Sequence, residues 1–240
     1  MTHSFAPGHG GASWSPETLR QLAPDLEALG AEAVIRWALE QFGPGLVLAS
    51  SFGAEDMVLI DMLCRMTDQP HIFYLDTGLL FPETYALIEE AQTRYGFQAI
   101  RVLPRLSLDD QSARWGNALW ERDPDRCCAL RKVEPLQHYL AGKAAWMTGI
   151  RRDQTPLRRL APVVGYDHRY HLVKVNPLAN WSHKDVYRYL AKHRVPYNPL
   201  HDQGYPSIGC VPCTRAVQPG ESLRAGRWAG QEKTECGLHL

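Results

Sequence analysis

Gly45-Leu46-Val47-Leu48-Ala49 runs directly into Ser50-Ser51-Phe52-Gly53-Ala54-Glu55-Asp56, and the reading of this stretch decides the fold. A short unbroken apolar run suits a strand buried on both faces, as in a parallel sheet. The small and polar residues after it suit a turn into a helix. There, backbone N–H groups and hydroxyls can approach an anion, and the helix N-terminus favours negative charge. The turn lacks the Gly-Lys-Ser/Thr of a Walker loop, and an ordinary capped strand–helix junction would use similar residues, so its companions must decide.

Those companions repeat the pattern. His71-Ile72-Phe73-Tyr74-Leu75, Gln98-Ala99-Ile100-Arg101-Val102-Leu103 and Ala144-Ala145-Trp146-Met147-Thr148-Gly149 are further short apolar runs, with helical segments expected near 55–67, 82–95 and 129–141. The alternation predicts an α/β fold with a doubly wound, mostly parallel sheet. Asp76-Thr77-Gly78 and Gly149-Ile150-Arg151-Arg152-Asp153 then fall at the same strand ends as Ser50–Asp56, the edge where such sheets bind ligands. Two helices precede the first strand. Ser15-Pro16-Glu17 is a cap with proline at the first helical position, and Ala31, Val34, Ile35, Ala38, Leu39 and Phe42 form a 3.6-residue stripe closed by Gly43-Pro44. A hairpin or extended segment is expected over 161–175, and a helix capped by Ser182 to about 194. Beyond 200 the chain is loop-rich, yet it holds three of the six cysteines. The expected organisation is a disordered tail over 1–15, an α/β domain over 16–205 and a flexible C-terminal segment over 206–240.

The 240 residues carry 26 Lys+Arg against 26 Asp+Glu, so no global field attracts nucleic acid or an anionic membrane, and any anion site must be local. No apolar run approaches the roughly 18 residues that span a bilayer. The opening MTHSFAPGHGGASWS has neither the basic nor the apolar region of a secretory signal, so a cytoplasmic location is expected. In that compartment six cysteines point to metal ligands or catalysis before disulfides.

Local charge and the cysteines carry the chemistry. Arg151, Arg152, Arg158 and Arg159 crowd forked donors suited to phosphate or sulfate, and Arg215, Arg224, Arg227 and Lys233 form a second basic set. Cys127-Cys128 and Cys210-Val211-Pro212-Cys213 supply four thiols in two pairs, enough for zinc or a [4Fe–4S] cluster. Adjacent cysteines chelate zinc poorly, and Arg131-Lys132 favours an anionic cluster; a redox CxxC or inert buried thiols are the bland alternatives. Cys64, inside an apolar helical run, reads as a core residue. Cys236 lies four residues from the end in Glu235-Cys236-Gly237-Leu238-His239, where a glycine-flanked segment can carry a nucleophile in and out of a cleft. Nearby cations favour its thiolate; Glu235 opposes it.

Taken together, Ser51–Asp56, Leu75–Gly78 with Pro82–Tyr85, Cys127-Cys128 with Arg131-Lys132, Gly149 with Arg151–Gln154, Gly209–Arg215 and Glu235–His239 resemble the assimilatory sulfonucleotide reductases, which act on adenylyl sulfate (APS) or phosphoadenylyl sulfate (PAPS). The resemblance spans residues 45 to 240. It implies an ATP-pyrophosphatase-like fold and a [4Fe–4S] cluster on Cys127, Cys128, Cys210 and Cys213. Members keeping all four ligands typically use APS. It also implies Cys236 as the nucleophile that releases AMP and becomes S-sulfocysteine, with thioredoxin or glutaredoxin freeing sulfite for cysteine biosynthesis. Ser50, Ser51, Gly53, Lys132, Gly149, Arg159, Arg224, Arg227 and His239 would contact substrate. No thioredoxin-like domain follows, so the reductant is expected to be a separate protein; a homo-oligomer is compatible, and neither nucleic acid nor a membrane is an expected partner. After Asp76-Thr77-Gly78, however, Leu79-Leu80-Phe81 resembles the PAPS-type pattern, and only Trp228 remains of an aromatic run before Cys236. A PAPS or dual-specificity reductase thus stays open. So does a metal-bearing nucleotide-binding module without redox turnover.

Overall fold

The computed structural model describes residues 14–239. The first two helices, α1 (Pro16–Leu29) and α2 (Ala31–Phe42), form where the capping and stripe predict them: Ser15 accepts from the Thr18 backbone N–H, and Leu19, Leu26, Val34, Ile35 and Ala38 turn inward. The expected disordered tail lies outside the described residues up to 13. Trp14 belongs to the fold instead, its ring edge-on to Trp37 at 5.4 Å.

Strand β1 (Leu46–Ala49), helix α3 (Ala54–Cys64), β2 (Ile72–Leu75), α4 (Pro82–Tyr95) and β3 (Ile100–Val102) follow in the expected alternation. Next come three short helices, α5 (Leu108–Trp115), α6 (Leu119–Arg122) and α7 (Pro124–Cys128). A π turn over Ala129–Val133 joins α7 to α8 (Glu134–Leu140), before β4 (Ala145–Met147), β5 (Val164–Asp167), β6 (Leu172–Val175) and α9 (His183–His193). The strands form one sheet in the order β3-β2-β1-β4-β6-β5, parallel except for β5, which completes the expected hairpin against β6.

Side chains alternate across this sheet. Leu46, Leu48, Ile72, Tyr74, Ala145 and Met147 face the larger core, with α1, α2, α3 and α9. Val47, Phe73 and Trp146 face the other side, against Leu136 and Leu140 of α8. Both faces of the central strands are therefore covered, the physical reason their sequences read as continuous apolar runs. β3 departs from that reading: it is a three-residue edge strand with one neighbour, and Ile100 is 46% exposed. The carboxyl ends of β1, β2 and β4 open on one edge, and the chain beyond 205 lies across it.

Candidate active site

The turn after β1 is tightly wound. The Phe52 N–H donates to Ser50 Oγ at 3.0 Å, and the Ser51 N–H and hydroxyl donate to Asp56 Oδ2 at 2.6 and 2.8 Å. Phe52 adopts φ +55, costly for a bulky residue; its buried ring, edge-on to Tyr74 at 5.8 Å, holds the conformation. Gly149, at the end of β4, closes against this turn: a Cβ there would lie 2.4 Å from Asp56 Oδ1 and 2.9 Å from Glu55 Cβ. Burial pushes the Asp56 carboxyl up to about 6 against the pull of its Ser51 donors. At the end of β2, burial would raise the Asp76 carboxyl, but donors from Tyr85 (2.7 Å), Gly78 (2.8 Å) and Arg101 (2.6 Å) outweigh it and hold it below the usual range.

These strand ends floor a cavity of about 240 Å³. Ser50, Ser51, Gly53 and Gly149 line it from the sheet edge; Lys132 lines it from the π turn; Arg224, Arg227, Cys236 and His239 line it from the C-terminal segment. Arg159 does not. It is exposed, while its neighbour Arg158 enters the lining, because a tight turn over Pro156–Arg158 sends adjacent side chains in different directions.

The C-terminal segment is docked over the cavity. Val211 N–H bonds to the Leu79 carbonyl at 2.8 Å, Lys233 pairs with Asp125, and Tyr170 OH reaches the Leu238 carbonyl at 3.4 Å. Its firmest hold is Glu235, only 7% exposed. Arg158 binds this carboxylate with Nε at 2.9 Å and a second guanidinium nitrogen at 2.7 Å; Arg224 (3.3 Å) and the Thr155 hydroxyl (3.2 Å) complete the clamp. The charge that reads in the sequence as hostile to Cys236 is thus absorbed by two arginines. Nearby, His239 stacks on Trp146 at 5.5 Å with Lys174 Nζ 3.3 Å from its Nδ1. Burial, then Lys174, Arg158 and Arg224, hold His239 well below its ordinary range; burial likewise pushes Lys174 down to about 8.

Cys127, Cys128 and Cys210 are buried, Cys213 is half-buried, and none of the six cysteines is in a disulfide. An antiparallel bridge between Leu80 and Cys210 carries the CxxC to the β2 edge, where the Thr77 hydroxyl lies 3.3 Å from Cys210 Sγ. The four thiols feel one another's charge: burial first, then Cys128, Cys210 and Cys213, push Cys127 up to about 12. Arg131, 4% exposed, braces this corner through the Thr77 carbonyl at 2.6 Å and Gln111 at 3.2 Å. Lys132 stands between Cys210, Cys128 and Cys236, whose negative fields outweigh burial and raise its affinity for a proton. Among the described residues, no three His, Cys, Asp or Glu gather so as to hold a single metal ion. Four converging thiols backed by cations remain a donor set suited to an iron–sulfur cluster, which takes one thiolate per iron. Cys64 sits at the end of α3, half-buried against the core where the sequence suggests a core position, and burial, then Asp61, push its thiol up to about 12.

His201 escaped the sequence reading, and so did the pairing of Arg158 with Glu235, which read there only as one of a basic cluster and as a charge opposing Cys236. Glu235 and Arg158 are partners across 77 residues, which no local spacing reveals.

A strand–turn–helix edge, an arginine- and lysine-lined cavity and a cysteine on the docked segment suit an α/β enzyme that takes an anionic ligand. Residues 45–216 match the phosphoadenosine phosphosulfate reductase domain, and the chain belongs to that family. Relatives include an adenosine 5'-phosphosulfate reductase of Salinibacter ruber, 45% identical over 98% of this chain and 94% of that protein. A phosphoadenosine 5'-phosphosulfate reductase of Gloeobacter violaceus is 48% identical over 92% and 93%. Among solved structures, the PAPS reductase of Candida auris in its phosphate complex superposes with TM-score 0.74 at 32% identity, covering 87% of this chain and all of that one. The FMN adenylyltransferase of Candida glabrata, at 15% identity and TM-score 0.58, shares the fold alone. No helix among the described residues is long and apolar enough to cross a membrane.

Proposed function

We propose that this chain reduces adenosine 5'-phosphosulfate to sulfite and AMP, with Cys236 as nucleophile and a thioredoxin-type dithiol protein as reductant. The observation that carries the reading is the meeting of Cys236 with Lys132, Arg158, Arg224 and Arg227 in the cavity that also exposes the turn Ser50–Gly53. The nucleoside lies against the turn and Gly149, and the phosphosulfate lies among the cations. The Cys236 thiolate attacks the sulfate sulfur; the bond from sulfur to the bridging oxygen breaks, and its electron pair leaves on AMP. The neighbouring guanidiniums and Lys132 offset the charge that builds on the leaving phosphate. A reductant thiolate then attacks Cys236 Sγ, expelling sulfite with the electron pair. The reductant's second thiol resolves the mixed disulfide and restores Cys236.

Cys127, Cys128, Cys210 and Cys213 would hold a [4Fe–4S] cluster. When bound, such a cluster would supply fixed negative charge beside Lys132 and tie residues 210–213 to the end of α7. Among this chain's own groups, Lys132 and Arg227 orient the anion, Arg158 and Arg224 hold the segment that bears Cys236, and Trp146 with Leu136 walls the cavity against water. Glu55 and Asp56 both line the turn, and their carboxylates disfavour a second phosphate there, which supports APS over PAPS.

The test is sulfite release from APS and from PAPS with thioredoxin as electron donor. Faster turnover on APS is expected; equal or faster turnover on PAPS overturns the substrate assignment. Cys236→Ser is expected to abolish sulfite release while AMP still binds. Retained turnover would sink the nucleophile assignment.

A further inference from the structure

His201 has no part in the chemistry above, yet it lines the same cavity with Glu55 and His183. Its Nδ1 lies 2.8 Å from the Tyr205 carbonyl oxygen, which can only accept, so Nδ1 carries the proton. Burial holds the ring below its ordinary range in spite of Glu55 and Asp202, keeping the imidazole neutral. Nε2 is then a bare lone pair, and it is buried with no hydrogen-bond partner among the described residues. A buried acceptor left unmet is costly and invites a donor.

The cavity is uneven in charge. Lys132, Arg224 and Arg227 gather around Cys236 at its cationic end; Glu55 stands near His201, with Arg151, 3% exposed, committed to Glu55 at 2.9 Å and to Asp153, and Arg158 linked to Glu55 through Gln154. A nucleotide whose anionic group lies at the cationic end must turn its neutral hydroxyl-bearing part toward the acceptors. We propose that His201 is a specificity-determining residue, its Nε2 accepting a hydrogen bond from a ribose hydroxyl and so selecting a nucleotide whose ribose is unphosphorylated. A ribose phosphate offers no proton to that lone pair and brings negative charge beside Glu55 and Asp56. The inference rests on the nucleotide reading above and deepens it.

The experiment is calorimetric binding of AMP, 2'-deoxy-AMP, 3'-deoxy-AMP and adenosine 3',5'-bisphosphate to the full chain, wild type and His201→Gln, with His201→Lys as a second variant. The wild type is expected to bind AMP best and to lose about fivefold to tenfold on removal of one ribose hydroxyl, the 2' and 3' arms showing which one. In His201→Lys, which replaces the acceptor by a donor, bisphosphate is expected to gain about tenfold relative to AMP. Circular dichroism checks that each variant folds. If His201 only supports the wall, every ligand weakens by the same factor and the ratios stay as in wild type, which overturns the proposal. Wild-type protein that binds AMP and both deoxynucleotides equally overturns it while leaving the nucleotide reading standing. Wild-type protein that binds none of them overturns that reading and this one together.

Discussion

Glu235→Gln should release the segment that carries Cys236 while leaving the rest of the fold intact. The substitution keeps shape but removes a charge whose side chain is 5% exposed and faces Arg158 and Arg224, themselves 13% and 20% exposed. In the wild type both carboxylate oxygens accept from Arg158. In the variant, an amide N–H meets one of those guanidinium N–H groups, donor against donor. Breaking one side of a buried ion pair costs about 3 kcal/mol or more. The arginines regain water when the segment lifts, so this energy appears as undocking rather than global unfolding. At 1.4 kcal/mol per tenfold, about 3 kcal/mol shifts docking by about 100-fold. The assay is the rate of Cys236 alkylation, followed by peptide mass spectrometry, together with kcat for sulfite release. Alkylation should accelerate, kcat should fall by one to two orders of magnitude, and AMP affinity should change by less than about threefold. Asp125→Ala is the contrast: it removes an ion pair whose carboxylate is 82% exposed, and such pairs contribute about 1 kcal/mol or less. Equal alkylation rates in wild type and Glu235→Gln, with kcat unchanged, would refute the idea that this carboxylate holds the segment down.

Three further outcomes follow from the same geometry. Gly149→Ala should abolish AMP binding measured by calorimetry, because its methyl group would occupy the space of Asp56 Oδ1 at 2.4 Å and the turn cannot retreat; near-normal affinity would show that the close approach is dispensable. Asp56 is held with its pKa at about 6 against 3.8, so its folded form prefers the proton, and stability from this group is fully present below pH 3.8 and lost as pH rises toward 6, by about 3 kcal/mol in all. Urea denaturation of Asp56→Asn should therefore fall less steeply than wild type across that window, and parallel pH profiles would argue that the raised pKa is wrong. Protein purified without oxygen should be brown, with broad visible absorbance that is lost in Cys127→Ser; a colourless protein holding zinc would remove the cluster from the proposal.

The fold was legible where burial is symmetric. β1, β2 and β4 each have neighbours on both sides and helices on both faces, so every residue in them is apolar and the run stands out against its surroundings. The same logic misread 98–103, because an edge strand has one neighbour and Arg101 can turn back to Asp76 at 2.6 Å. The helix expected over 129–141 overlaps a longer helical path from Pro124 to Leu140, and the π turn within it was invisible: an extra residue per turn leaves no periodic trace over five positions. That turn nonetheless sets where Arg131 and Lys132 point, and so the electrostatics of the cavity.

The site was legible as chemistry but not as pairing. Two cysteine pairs and a near-terminal cysteine announce themselves by type and spacing, yet no spacing says that Cys210 crosses to Leu80 or that Glu235 meets Arg158. Summed along the chain, Glu235 is an acid beside a thiol and argues against a thiolate. Summed in space, it stands against Arg158 and Arg224, and Lys132 and Arg227 line the cavity with Cys236. The same carboxylate that counts against nucleophilic chemistry in the sequence is what holds Cys236 at the cavity in the fold. Zero net charge over the whole chain is compatible with this because the charges are sorted by place: Lys132, Arg224 and Arg227 gather around Cys236, while Glu55 and His201 stand together elsewhere in the lining. An ion with a charged end and a neutral end is oriented by that arrangement before any single contact forms. Reversing the polarity beside Glu55, as His201→Lys does, should therefore alter which nucleotide is held more than how fast Cys236 reacts with it.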